Sequence, residues 1–336
     1  MSTDTTHANL SPQYTLRTIV RGAYDIQKLR IMMGNRICAQ FKAKLGQEPS
    51  HPEEEMDEES TSILTELRAE FKKLMDGVKK VNLATFKASP LISTFTEFAL
   101  LQQYMDLEAT EKQHFANLGK ILPDFPIYTQ FLDTVPGIGP AIAGVIISEI
   151  NIHRAKYPSS LWMYAGLAVE SDGRGTSKRT EHLHDVTYTD KEGKEATRKG
   201  ILFNPFLKTK LMGVLAGSFL KCGMATKKVQ AQGKDGTLVF LEGGKPKMVT
   251  VKDDKGNSII DRDQCEKYAL IYVDYRHRLQ NRPDWADKTK GHIHAAALRY
   301  MIKQFLVDLH MIWRRIENLE VTTPYSEGKL GIRHTA

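Results

Sequence analysis

The hexapeptide Val135-Pro136-Gly137-Ile138-Gly139-Pro140 restricts the fold more than any other part of the chain. Prolines and glycines this closely spaced end one helix and start the next within a few residues. Residues 127–134 read as a short helix before it, and residues 141–150 as an apolar helix opening at Pro140. The spacing predicts a helix-hairpin-helix, with both glycines supplying positive φ and a bare backbone. Ile138 is expected to point inward, and Ile142, Val145, Ile146 and Ile150 to pack the second helix on a core. Free N–H groups at such a turn, next to a helix N-terminus, can hold a phosphate oxygen without reading a base. Pro136, Gly137, Ile138 and Gly139 are therefore candidate DNA contacts. The bland alternative is a helical turn that needed two glycines.

Upstream, the chain reads as all-helical. In residues 14–41 the apolar positions Leu16, Ile19, Val20, Ala23, Ile26 and Leu29 recur at three- and four-residue spacing. This segment is strongly basic, carrying Arg17, Arg21, Lys28, Arg30, Arg36, Lys42 and Lys44 against Asp25 alone. Residues 48–52 break the helix, and the acidic run 53–59 reads as solvated or as the first turn of the next helix. Leu64, Leu67, Phe71, Leu74, Met75 and Val78 follow at close to a 3.5-residue repeat, and a third helix runs from Phe95 to about residue 122. Residues 14–122 are expected to form a helical hairpin or coiled-coil-like bundle, through which copies of the chain would associate as a homo-oligomer. Residues 1–13 read as a disordered arm.

Downstream, Gly-centred turns between β-branched runs predict β-hairpin insertions near 182–203 and 236–260. Closing helices are expected near 263–280 and 292–318, with 321–336 as a tail. The fold class is thus mainly α: a helical region, then a helix-hairpin-helix domain over 123–320 interrupted by β-hairpins.

Charge matters through its layout. There are 47 Lys and Arg against 40 Asp and Glu, a net +7. Between Gly200 and Lys228 there is no acid at all, while Lys208, Lys210, Lys221, Lys227 and Lys228 are present. With Arg174, Lys178 and Arg179 just upstream, Lys208 and Lys210 are candidate phosphate contacts beside the hairpin; the alternative is a solvated basic helix. A hydrophobic share of 41% argues against wholesale disorder. No apolar run is long enough to span a bilayer, and the first residues lack the pattern of a signal peptide. Cys38, Cys222 and Cys265 are too few and too far apart for a disulfide framework or a CxxC site. These features lead to the expectation of a cytoplasmic, nucleoid-associated protein. His277, His292, His294 and His310 show no metal-ligand spacing, so no metal site is expected. Tyr268, Tyr272, Tyr275 and Tyr300 read as packing residues rather than a base-stacking platform.

One ordered set of motifs resembles a known family. After the Pro-Gly-Ile-Gly turn come Tyr164-Ala165-Gly166-Leu167, a serine–glycine loop from Ala168 to Arg179, and Lys199-Gly200-Ile201 leading to Asn204-Pro205-Phe206-Leu207-Lys208. This order is similar to the C-terminal domain of the insertion-sequence one-ten transposases, the group that includes the pilin-gene invertases. The likeness covers about residues 125–225. It implies a DNA recombinase acting on double-stranded DNA in transposition or site-specific recombination, with a serine nucleophile and, in relatives, a structured guide RNA. Ser171 and Ser177 are the candidate nucleophiles, and Ser171 is favoured because Asp172-Gly173 follows it. A serine suits this chemistry because a phosphoserine linkage conserves the energy of the phosphodiester.

The chain departs from the pattern twice. The family's acidic, ribonuclease-H-like metal domain is replaced by the helical region, with no strand signal before residue 130. The serine loop is altered and followed by an inserted hairpin. No cofactor is evident, and Mg²⁺ enters only if an acidic nuclease partner is supplied in trans. The alternative function is a non-catalytic DNA-binding module derived from such a transposase, or an RNA-binding one using the basic first helix.

Overall fold

The computed structural model describes residues 12–47, 58–76, 78, 80–232 and 237–323. The chain divides into two compact units, residues 1–121 and 122–336. The fold is mainly helical, with small antiparallel β elements.

The first unit holds three long helices: α1 (Pro12–Lys44), α2 (Glu58–Met75) and α3 (Phe95–Ile121). Ile37, Cys38, Leu64, Leu67, Phe71, Phe98, Leu101 and Tyr104 interlock as its core, with Phe71 stacked on Phe98 at 5.0 Å. In α1 the buried positions Leu16, Val20 and Ala23 follow the expected stripe, but Leu29 lies exposed. Its place is taken by a polar contact: Arg30 pairs with Glu111 of α3 and also donates to the Tyr104 hydroxyl at 3.1 Å. Two further cations of α1 are paired, Lys42 with Glu59 at 3.0 Å and Lys44 with Glu97 at 3.2 Å. Three of the basic side chains of α1 thus serve the unit's own packing. Glu58 and Glu59 form the first turn of α2, where the helix dipole favours them. The rest of the acidic run, residues 53–57, lies outside the described residues, as do residues 1–11 of the arm and 324–336 of the tail.

The second unit begins with a 3₁₀ turn at Leu122–Asp124, α4 (Pro126–Gln130), another 3₁₀ turn at Leu132–Thr134 and α5 (Pro140–Glu149). The first arm of the hairpin is therefore two short pieces. Every residue of α5 from Ile142 to Glu149 is buried, so this helix forms the centre of the unit. Next come α6 (Pro158–Tyr164) and a hairpin of β1 (His184–Thr189) with β2 (Glu195–Gly200). Its register runs from His184 opposite Gly200 to Thr189 opposite Glu195. α7 (Pro205–Thr209) continues through a π-helical turn, Lys210–Leu215, into α8 (Ala216–Gly223). The helices α9 (Lys267–Gln280) and α10 (Lys290–Ile316) close the unit. Phe305 of α10 is fully buried and meets Phe131, Phe219 and Tyr268 at ring distances of 6.1, 5.4 and 5.5 Å.

The second β insertion differs from expectation. It starts at Thr226, which bridges to Ile260, and its named strands are β3 (Lys228–Gln230) and β4 (Met248–Thr250). Segments there bond in threes. Ala231 donates to Lys247, Lys247 to Val239, and Val239 back to Ala231, all at 2.7–2.9 Å. The runs at 237–241 and 247–251 therefore share a third, polar partner that carried no strand signal of its own.

Tyr268 and Tyr272 are buried, and Tyr275 stacks on Tyr300 at 4.0 Å, as packing residues would. His310 is fully buried with its Nε2 2.9 Å from the Ala155 carbonyl. No helix among the described residues is long and apolar enough to cross a membrane.

Candidate functional site

The Pro-Gly-Ile-Gly turn is built as expected at Ile138, which is buried, and differently at its glycines. Gly137 has φ +94° and needs glycine. Gly139 has φ −100° and simply caps α5, so positive φ is confined to the first glycine. Gly137 is also not bare. Its carbonyl accepts from Ser218 Oγ at 2.7 Å, and a Cβ added there would lie 3.1 Å from the Ser218 carbonyl. Nothing lies within 4 Å of a Cβ at Gly139, which is exposed with Pro136. Gly137→Ala is expected to cost about 1–3 kcal/mol, whereas Gly139→Ala should stay within about 0.5 kcal/mol. Urea unfolding of the two variants checks this, and identifies Gly139 as the position where a bulkier side chain tests DNA contact without disturbing the fold.

The motif blocks converge on Asn204. Its side chain caps α7 by accepting from Leu207 N–H, and its Nδ2 donates to Glu149 Oε2 at 2.6 Å and to the Tyr164 hydroxyl at 3.1 Å. Its backbone N–H donates to the Tyr164 carbonyl. One asparagine thus ties the end of α5, the Tyr164–Leu167 block and the start of α7, and so positions the loop between them.

That loop folds back on itself. Val169 bridges to Gly175, and Glu170 and Arg174 close a turn at 2.8 Å. Ser171 sits exposed at the tip of the turn and makes no hydrogen bond among the described residues. Ser177 is different. Its Oγ lies 2.9 Å from His182 Nδ1, and His182 Nε2 lies 3.2 Å from Asp172 Oδ2. The Ser177 backbone N–H donates to the same Nδ1 at 3.0 Å. An N–H can only donate, so Nδ1 carries the lone pair and the ring proton sits on Nε2, facing the carboxylate. In that tautomer the single Nδ1 lone pair faces both the Ser177 N–H and the Ser177 hydroxyl. The Arg174 backbone N–H, and then His182, hold the Asp172 carboxyl below the usual aspartate range. His182 is only 3% exposed, so its ring is held in place, while the Asp172 carboxylate stands open to solvent. Asp172, expected to serve Ser171, turns instead to the histidine that faces Ser177.

The candidate cations divide. Arg174, Lys178 and Arg179 are exposed on or beside the loop. Lys208 and Lys210 are half-buried rather than lying on a solvated face. Lys208 Nζ donates to the Thr176 carbonyl and stands 4.8 Å from the Phe203 ring centre. Burial lowers both amines, and Arg299 lowers Lys208 further. Arg299 and Lys303 lie one turn apart on α10. Burial, then the charge of Arg299, brings Lys303 down to about 8. A lysine lowered in the folded state penalises folding below that value, and the penalty fades as pH rises toward the unfolded value of about 10.5. Relative to Lys303→Met, the unsubstituted protein should therefore gain on the order of 2–3 kcal/mol between pH 8 and 10.5. Denaturant titrations of both proteins at several pH values measure it.

Comparison with known proteins is informative for one stretch. Residues 129–185 match the model of the transposase IS116/IS110/IS902 family. No curated protein and no solved structure matches the chain. The transposase-matching stretch runs from α4 through the Pro-Gly-Ile-Gly turn and α5 to the loop, and includes Asp172, Ser177 and His182. The match relates this part of the chain to transposases. Among the described residues no three His, Cys, Asp or Glu side chains come together as a metal-holding group.

Proposed function

We propose that the protein is a DNA strand-transfer protein of transposase type in which Ser177 attacks a phosphodiester. The Ser177–His182–Asp172 relay carries this reading. His182 Nδ1 takes the hydroxyl proton as Ser177 Oγ bonds to phosphorus. The bond from phosphorus to one deoxyribose oxygen breaks, and that oxygen leaves with the proton held on His182. The product is a phosphoserine ester, and attack on it by another deoxyribose hydroxyl rejoins the strand. Asp172 keeps the productive tautomer and stabilises the imidazolium that forms transiently. The Arg179 backbone N–H, 3.3 Å from Ser177 Oγ, supports the oxygen as its negative charge develops. Double-stranded DNA is the substrate, met by the Pro136–Gly139 turn and by Arg174, Lys178 and Arg179, and a structured RNA is a second partner in this reading.

A non-catalytic DNA-binding module is the competing reading. One observation favours it: the Ser177 N–H already occupies His182 Nδ1, so the histidine can be explained as a staple of the loop. Denaturing gels separate the two. The protein is incubated with labelled supercoiled DNA, with and without the RNA that co-purifies with it. A covalent protein–DNA species supports strand transfer, and binding without any such species in either condition supports the module.

A further inference from the structure

We propose that Lys208, Arg299 and Lys303 form a built phosphate site that holds a phosphodiester of duplex DNA against the Ser177 loop. The inference rests on the DNA-acting reading above and names the groups that would grip the reacting strand.

Three half-buried cations meet here, from α7 and from successive turns of α10. None of them has a carboxylate within ion-pair distance among the described residues, in contrast to Arg30 and Lys42, which are paired with glutamates. Arg299 exerts its charge on both Lys208 and Lys303, so it repels each of the two lysines. What supports them is aromatic: Lys208 over Phe203 at 4.8 Å and Lys303 over Trp162 at 5.1 Å. Cation–π contacts offset part of the desolvation but supply no counter-charge. A cluster of this kind is incomplete without an anion.

The position of the loop identifies the anion. A Cβ at Gly175 would collide with the Arg299 guanidinium, so the loop backbone lies directly on that side chain. Lys208 Nζ bonds the carbonyl of Thr176, the residue before Ser177. An anion neutralising this cluster is therefore held beside Ser177. The fork of a guanidinium suits the non-bridging oxygens of a phosphodiester, and two ammonium groups complete the neutralisation. Such a clamp would also stabilise the charge that builds on phosphorus as Ser177 attacks.

The test compares Arg299→Gln/Lys303→Met with the unsubstituted protein, with Ser177→Ala, and with Lys245→Gln/Lys255→Gln, which removes the same charge from exposed sites. Fluorescence anisotropy on a random-sequence 25-base-pair duplex is followed across salt concentration. Each lost phosphate contact removes about 0.9 from the slope of log K against log salt. The α10 double variant should lose about 0.9 from the slope, the one phosphate held there, and about 10-fold or more in affinity, with its unfolding midpoint unchanged or raised by relief of repulsion. Ser177→Ala should keep wild-type slope and affinity. An unchanged slope in the α10 variant overturns the site, as does an equal loss in the Lys245/Lys255 control. Absence of duplex binding by the unsubstituted protein overturns the parent reading instead.

Discussion

Ser177→Ala should lower DNA strand cleavage by about 10³-fold or more, because the attacking atom is removed and no other hydroxyl hydrogen-bonds His182 among the described residues. Ser171→Ala should change the same rate by less than about 10-fold, since no side chain hydrogen-bonds the Ser171 hydroxyl among the described residues. His182→Ala should cost about 10²- to 10⁴-fold, the range of a lost general base. His182 also accepts the Ser177 N–H, so its removal loosens the loop as well. His182→Gln separates the two effects, since its amide oxygen can still accept that N–H but cannot carry the proton. Loop order near wild type in His182→Gln, read by hydrogen exchange, with cleavage as low as in His182→Ala, assigns the loss to proton transfer. Equal cleavage in Ser177→Ala and wild type would leave the relay without a catalytic role.

The largest expected effect on stability lies at Phe305. Its ring contacts Phe131, Phe219 and Tyr268, bringing together the hairpin, α8, α9 and α10. Phe305→Ala should destabilise the second unit by about 3–5 kcal/mol, the lost transfer energy plus the cavity left among rings that cannot collapse together. For a unit of this size that corresponds to a fall of roughly 10 °C or more in its unfolding midpoint. Phe305→Leu, which retains most of the volume, should cost about 1.5 kcal/mol or less. Similar values for both variants would mean that the ring cluster contributes no more than its aliphatic equivalent.

Local patterns were legible where one face of one element decides the outcome. The stripe Leu16, Val20 and Ala23, the inward Ile138 and the apolar α5 all follow from spacing. Partners distant in sequence were not. Arg30 finds Glu111 81 residues away, and nothing local announces that this pair replaces Leu29 at the buried face. β3 contains Lys228 and Gln230 and becomes a strand only through its partners. In the site, Ser177 was legible as a candidate, but its hydrogen-bond partner was not. His182 lies five residues on, at the start of an apparent strand, and only the folding back of the loop brings it to Ser177. Asp172 was visible beside Ser171, but its carboxylate meets His182, because adjacency in sequence is not adjacency in a turn. Arg299 carried no signal in the sequence, because the loop backbone at Gly175 that packs on it lies some 120 residues earlier.

The most direct measurement is the identity of the residue that carries DNA after reaction. The covalent species is digested with nuclease and protease, and the nucleotide-bearing peptide is sequenced by mass spectrometry. A nucleotide on Ser177, abolished in Ser177→Ala and retained in Ser171→Ala, is the predicted result. A nucleotide on Ser171 would contradict the assignment of the His182–Asp172 relay to catalysis.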